Sequence, residues 1–135
     1  MNWGIIATGT IAAKFARTVN DMRLENERLV AVGSRNEKRA RDFAETYGIE
    51  RSYGSYEALL MDPDVDAVYI ATPNNMHYEN MISCLAAGKN VLCEKPFTVR
   101  AEEAELLYRM ADEKRCLLWK LFGFVFFHCM KNSSG

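Results

Sequence analysis

The sequence predicts an open α/β fold, a parallel sheet with helices on its faces. Short apolar runs alternate with segments of helical period, and the loops joining them are short and rich in turn residues. The run "DAVYIA", Asp66 to Ala71, adds a third observation, because it has no polar interruption after its first residue. Such a run suits a central parallel strand buried on both faces.

Asn2 to Ala7 reads as the first strand, and Thr10 opens a helix with Ile11, Phe15, Thr18, Val19 and Met22 spaced along one face. Leu29 to Gly33 is the second strand. The helix after it buries Ala40, Phe43, Ala44 and Tyr47 and stops at Gly48. A minimal third strand at Ser52 and Tyr53 leads into a short helix from Ser55 to Met61, ended by Asp62-Pro63. After the Asp66 to Ala71 strand come a helix from Asn75 to Ala87, stopped by Gly88, and a fifth strand from Asn90 to Cys93. A last helix begins at Thr98 or Arg100 and turns Ala104, Leu107, Tyr108 and Ala111 inward. No internal repeat and no low-complexity linker interrupts the pattern.

At 135 residues the chain has the size of one domain with a real core. Its formal net charge is -1 with both signs interspersed, which leaves no electrostatic footprint for nucleic acid or a membrane surface. A small molecule is the expected partner. The N-terminus lacks a basic segment followed by a long apolar stretch, so no secretory signal is read. The run from Leu117 to Cys129 is interrupted by Lys120 and is too short to span a bilayer. The four cysteines, Cys84, Cys93, Cys116 and Cys129, form no C-x-x-C pair and no metal-ligand spacing; they read as reduced buried thiols of a cytoplasmic protein, with no metal site.

The first strand-to-helix turn carries the chemistry. In the dinucleotide fingerprint G-x-G-x-x-G/A the middle glycine lets the backbone approach a pyrophosphate, and the helix N-terminus supplies N–H groups. Here the fingerprint reads Ala7, Thr8, Gly9, Thr10, Ile11, Ala12, with alanine in place of the first glycine. At the end of the second strand, NAD sites place an acid on the ribose 2′-hydroxyl, whereas a basic residue suits the 2′-phosphate of NADP. This chain has Ser34, Arg35 and, one helical turn on, Lys38. That pattern favours NADP, with NAD still open because Arg35 could stack on adenine in either case. The competing reading makes Arg35 and Lys38 the solvated start of a helix.

The stretch "ATPNNMHYENMISCLAAGKNVLCEKPFTV", with "WGIIATGTIA" before it, resembles the Gfo/Idh/MocA oxidoreductases, and within them the dihydrodiol dehydrogenase branch. The resemblance runs from Trp3 to about Leu118. It implies a Rossmann-type doubly wound parallel sheet, cut short before the family's C-terminal α+β domain. It also implies that Lys95 is the catalytic lysine, flanked by Glu94 and Pro96 at the end of strand five. A lysine there would hydrogen-bond a substrate hydroxyl and assist as hydride leaves carbon. Thr72, Pro73, Asn74 and His77 would line the nicotinamide side. The implied substrate is a sugar or cyclic diol, and the intact parent would be a homo-oligomer assembled through its second domain.

The end of the chain departs from this pattern. The branch typically continues with a segment like "LMEAxWxRFFP", whereas this chain has "LWKLFGFVFFHCMKNSSG" from Leu118. Back-translated and read one nucleotide earlier, residues 118 to 134 permit MEAFWVRFFPLYEKLK. Several steps leave no freedom. Trp119 to Lys120 forces glutamate, His128 to Cys129 forces leucine, and Met130 to Lys131 forces glutamate. The expected division is therefore a nucleotide-binding domain over 1–118 and an out-of-frame tail over 119–135, which stops where the shifted frame meets a stop codon. Only Cys116 to Leu118 of a sixth strand stay in frame, and Phe122 to Phe127 would form an exposed apolar segment.

Two other functions compete. A nucleotide-binding sensor or partner subunit would need the turn but not Lys95. A methyltransferase-like domain would want an acid at the second strand's tip, where Ser34-Arg35 stands.

Overall fold

Seven strands form one sheet in the order β3-β2-β1-β4-β5-β6-β7. The computed structural model describes residues 1–22, 26–72, 76–94, 101–116, 118–122 and 125–128. The strands are β1 (Asn2–Ile6), β2 (Arg28–Gly33), β3 (Arg51–Tyr53), β4 (Ala67–Ile70), β5 (Asn90–Glu94), β6 (Leu118–Phe122) and β7 (Val125–His128). The helices are α1 (Thr10–Met22), α2 (Glu37–Tyr47), α3 (Tyr56–Leu60), α4 (His77–Ala86) and α5 (Ala101–Glu113). Strands β1 to β6 pair in parallel, and β7 pairs antiparallel with β6. The chain builds outward from β1 through β2 to β3, then returns to build β4, β5 and β6 on the other side. The reversal lies between β1 and β4, and crevices of this kind are where such sheets bind ligands.

Period-two alternation along the strands divides the core into two layers. On β4, Ala67 and Tyr69 face one layer with Ala12, Ala16, Phe43 and Ala44, from α1 and α2. Val68 and Ile70 face the other, with Leu59, Met81, Leu85 and Leu107 from α3, α4 and α5. Every residue of β4 is buried. This is why "DAVYIA" carries no polar interruption after Asp66: burying each large aliphatic side chain contributes about 1.5–3 kcal/mol.

The helix α2 matches its sequence pattern. Asn36 caps its start by accepting from the Arg39 N–H at 3.1 Å. Gly48 ends it at φ 68°, a left-handed conformation that a Cβ would oppose. The helix α1 has the expected span but presents a different face. Ala12 and Ala16 are fully buried, with Phe15 half-buried between Trp3 and Tyr69, whereas Ile11, Thr18 and Met22 are exposed. The reason is steric: the helix lies close on the sheet, so small side chains take the contact line. The Phe15 ring stacks on Tyr69 at 4.0 Å between centroids. The expected starts of the last helix, Thr98 and Arg100, and the expected start of the fourth, Asn75, lie outside the described residues.

The backbone of Leu118–Phe122 and Val125–His128 is paired into the sheet, so Phe122 and Val125 to Phe127, read from the sequence as part of an exposed apolar segment, lie on paired strands. Aromatic and β-branched residues fit a pleated surface whatever their coding origin.

A polar cluster at the C-terminal end of α3 locks the segment leading into β4. The buried Asp62 carboxylate accepts from Arg51 Nη1 at 2.9 Å, from the Tyr53 hydroxyl at 2.7 Å and from the Asp64 N–H at 2.9 Å. Lys89, also buried, donates from Nζ to the carbonyls of Asp62 and Val65 at 2.8 and 2.7 Å. Burial by itself pushes the Asp62 carboxyl up, but the hydrogen bonds from Tyr53, Asp64 and Arg51 outweigh it and hold its pKa below the ordinary value. A depressed folded pKa contributes stability that is complete above the unfolded value near 3.8 and is lost as pH falls through the folded value. Asp62→Asn is therefore expected to cost about 1–3 kcal/mol in urea unfolding at pH 7, with the gap to wild type closing in strong acid. An equal gap at both pH values would contradict this account of the cluster.

Cys84, Cys93 and Cys116 are buried and form no disulfide among the described residues, and burial pushes the thiols of Cys84 and Cys116 up. Cys129 lies outside the described residues. Among the described residues no helix is long and apolar enough to cross a membrane, and no group of His, Cys, Asp or Glu could hold a metal ion.

Candidate cofactor site

Strands β1, β2, β4 and β5 end on one edge of the sheet, beside the reversal between β1 and β4. Their exits carry the residues singled out by the sequence. After β1, Ala7 takes φ 87°, the left-handed region in which the fingerprint ordinarily has glycine. Its N–H donates to the Gly33 carbonyl at 2.9 Å, which ties the turn to the end of β2. The Gly9 carbonyl accepts the first helical bond of α1, from the Ala13 N–H at 3.0 Å. The preceding N–H groups, of Thr10, Ile11 and Ala12, therefore belong to the helix start, with no acidic residue in the first turn. Beyond its two chain neighbours, a Cβ built on Gly9 meets no atom of the described residues within 4 Å, and its φ lies outside the left-handed region. Nothing among the described residues requires glycine there. Close approach of a phosphate to the helix N-terminus does require it, so the turn fits a dinucleotide.

The strain at Ala7 gives a prediction. Ala7→Gly is expected to raise stability by about 1 kcal/mol in urea unfolding, since a left-handed conformation costs an alanine about 1–2 kcal/mol. Loss of stability would show that the methyl group has a packing role.

At the exit of β2, Ser34 is buried; its N–H donates to the Tyr53 carbonyl at 3.1 Å and its Oγ accepts from the Asn36 N–H at 3.1 Å. Arg35 is exposed, and its Nη2 lies 3.3 Å from the Met76 Sδ with the guanidinium over the Tyr56 ring. Lys38 is exposed on the first turn of α2.

At the exit of β4, Thr72 is buried and its hydroxyl donates to Asn80 Oδ1 at 2.5 Å. His77 begins α4 and is 3% exposed, with Nε2 at 2.7 Å from the Thr72 carbonyl and Nδ1 at 3.3 Å from the Cys93 Sγ. A carbonyl only accepts, so Nε2 is the donor to Thr72, and in that tautomer Nδ1 is placed to accept the Cys93 S–H. The ring therefore joins the end of β4 to the end of β5. Pro73 and Asn74 lie outside the described residues, as do Lys95 and Pro96. Glu94 closes β5, in register with Leu121 of β6.

Thus the structure brings Ala7, Thr8, Gly9, Thr10 and Ile11, the trio Ser34, Arg35 and Lys38, and the pair Thr72 and His77 to one edge of the sheet. Sequence reasoning passed over Asn80 and Cys93, which complete the polar cluster around Thr72 and His77. A signal existed for Asn80, which falls on the buried face of α4 with His77, Met81 and Cys84. A concavity of about 290 Å³, lined by residues such as Val19, Asn20, Arg28 and Gly48, lies at the opposite, N-terminal edge of β2 and contains none of the site residues.

A family model for oxidoreductases with an NAD-binding Rossmann fold, Gfo/Idh/MocA, matches residues 1–122. The chain belongs to that family. It is 38% identical to the trans-1,2-dihydrobenzene-1,2-diol dehydrogenase of Mus musculus over 131 residues, 97% of this chain and 39% of the relative. It is 37% identical over 127 residues to the enzyme of that name from Homo sapiens, 94% of this chain and 38% of the relative. Among solved structures it is similar to a 3-ketoreductase from Actinomadura kijaniata in complex with NADP and TDP-benzene, with TM-score 0.81, 36% identity, and 89% of this chain and 36% of the other covered. The chain spans about two fifths of the length of the curated relatives it matches. The family match, the parallel sheet and the order of strands bear out the resemblance read from "ATPNNMHYENMISCLAAGKNVLCEKPFTV".

Proposed function

We propose that this chain is the cofactor-binding part of an NADP-dependent dehydrogenase that oxidises a secondary alcohol of a cyclic diol or a sugar. The observation that carries the reading is the open helix start at Gly9 beside an exit of β2 that carries Ser34 and Arg35, with no acid, at the strand's tip, both on the edge where the sheet reverses. The pyrophosphate sits on the N–H groups of Thr10 to Ala12, held close by the turn from Ala7 to Ile11. Ser34, Arg35 and Lys38 take the adenosine end, with Arg35 on the 2′-phosphate. Thr72, Pro73, Asn74 and His77, with Glu94 and Pro96, shape the nicotinamide end. His77 does so from within the chain, because both its ring nitrogens are engaged by Thr72 and Cys93.

When bound, the nicotinamide supplies the hydride acceptor. Lys95 would hydrogen-bond the substrate hydroxyl oxygen and stabilise the negative charge that grows there as hydride leaves carbon and the hydroxyl proton passes to solvent water. Residues 1–118 form the nucleotide-binding domain, and residues 119–135 are encoded out of frame with the relatives' continuation. The substrate's other contacts, and those of a homo-oligomeric assembly, belong to the part of the relatives' length that residues 1–135 do not span, so residues 1–135 by themselves turn over little or nothing.

The test is turnover by the frame-restored protein, with NADP and a cyclic trans-diol or an aldose. The expected result is NADPH formation that Lys95→Met lowers by about 10²–10⁴-fold in kcat. A restored protein that binds NADP and reduces none would overturn the dehydrogenase reading in favour of a sensor.

A further inference from the structure

We propose that Tyr56 and Met76 are positioning residues for Arg35, and that through it they set the preference of this site for a 2′-phosphate over a 2′-hydroxyl. The inference rests on the NADP reading above and adds to it the groups that make Arg35 effective. An exposed arginine after a strand ordinarily samples many rotamers, and ordering it on binding costs free energy. Here the guanidinium already has two contacts from outside its own element. Its Cζ lies 5.8 Å from the centroid of the Tyr56 ring, within the range of a cation–π contact. Its Nη2 lies 3.3 Å from the Met76 thioether, a weak acceptor.

Both partners are anchored. Tyr56 is the first residue of α3, is partly buried, and packs against the cluster that contains Leu59 and Val68. Met76 directly precedes α4, whose first residue His77 is pinned to the exits of β4 and β5. The guanidinium thus bridges the exits of β2, β3 and β4.

The chemistry of the two partners matters as much as their placement. Neither an aromatic face nor a thioether neutralises the cation, and among the described residues no ion pair engages Arg35. Its nearest acidic neighbour on α2, Glu37, pairs instead with Arg41 at 3.9 Å. Among the described residues only one of the five guanidinium N–H groups is engaged, which leaves a fork suited to phosphate. Lys38 has no such support among the described residues, which leaves Arg35 as the group whose placement decides selectivity.

Calorimetric titration of the full 135-residue chain with adenosine 2′,5′-bisphosphate and with adenosine 5′-monophosphate tests this. The expected result is that wild type prefers the bisphosphate. Tyr56→Leu and Met76→Leu should each weaken bisphosphate binding about two- to fivefold while leaving monophosphate binding unchanged. Tyr56→Phe, which keeps the ring face, should retain wild-type selectivity. Met76→Leu preserves apolar volume, so it reports even if Tyr56→Leu does not fold. Equal weakening for both nucleotides, or no weakening for either, overturns the positioning role while the NADP reading stands. If wild type does not prefer the bisphosphate, or if Arg35→Met leaves the preference intact, the NADP reading fails and this inference with it.

Discussion

Gly9→Val is expected to abolish nucleotide binding while leaving the fold in place. Beyond its chain neighbours, a Cβ at this position meets no atom of the described residues within 4 Å, and its φ is not one that disfavours side chains, so the described structure accommodates valine. The cost to folding is confined to the poorer start of α1, about 0.5–1 kcal/mol. The valine methyls, however, stand in front of the N–H groups of Thr10 to Ala12, where a pyrophosphate must come into direct contact. Loss of that contact is expected to weaken NADP binding by about a hundredfold or more, or roughly 2.7 kcal/mol. Calorimetry with NADP, alongside a thermal melt, separates the two effects. A variant that melts like wild type and still binds NADP would show that the turn is only a turn.

The second large effect is expected at His77. Its ring closes the segment between β4 and α4 by donating to the Thr72 carbonyl, and it reaches β5 through Cys93. His77→Leu leaves a buried carbonyl without its donor and the Cys93 thiol without its acceptor. Such losses cost about 1–3 kcal/mol for the carbonyl and less for the weaker thiol, so a destabilisation of about 2–3 kcal/mol is expected in urea unfolding. The companion changes at Cys93 sort the contributions. Cys93→Ser keeps a donor to Nδ1 and should cost less than Cys93→Val if the hydrogen bond matters more than the burial of an apolar group. Equal stability of wild type and His77→Leu would contradict the pinning role and return His77 to direct contact with the cofactor.

These two positions show what was legible in the sequence. Gly9 could be read because a fingerprint is local: strand, turn and helix start are contiguous, and their chemistry is carried by backbone. The strand β4 and the helix α2 were readable for a similar reason, since an unbroken apolar run and a stripe closed by Gly48 each have one structural solution. The buried face of α1 was not. The spacing suggested a line through Ile11, Phe15, Thr18, Val19 and Met22, of which Phe15 and Val19 are half-buried, but close packing on the sheet selected Ala12 and Ala16, whose weak hydrophobicity gives little periodic signal. The engagement of His77 was invisible for a different reason: Cys93 is sixteen positions away, and only the pairing of β4 with β5 brings it to the ring. Tyr56 carries no local signal either, because only the placement of α3 brings its ring to Arg35.

The central claim is that the edge formed by the exits of β1, β2 and β4 binds NADP. Direct titration of the chain with NADP and with NAD, followed by calorimetry, tests it most simply. The account predicts saturable one-to-one binding of NADP, weaker binding of NAD, and loss of the difference in Arg35→Met. Absence of binding by either dinucleotide to the folded chain would contradict it.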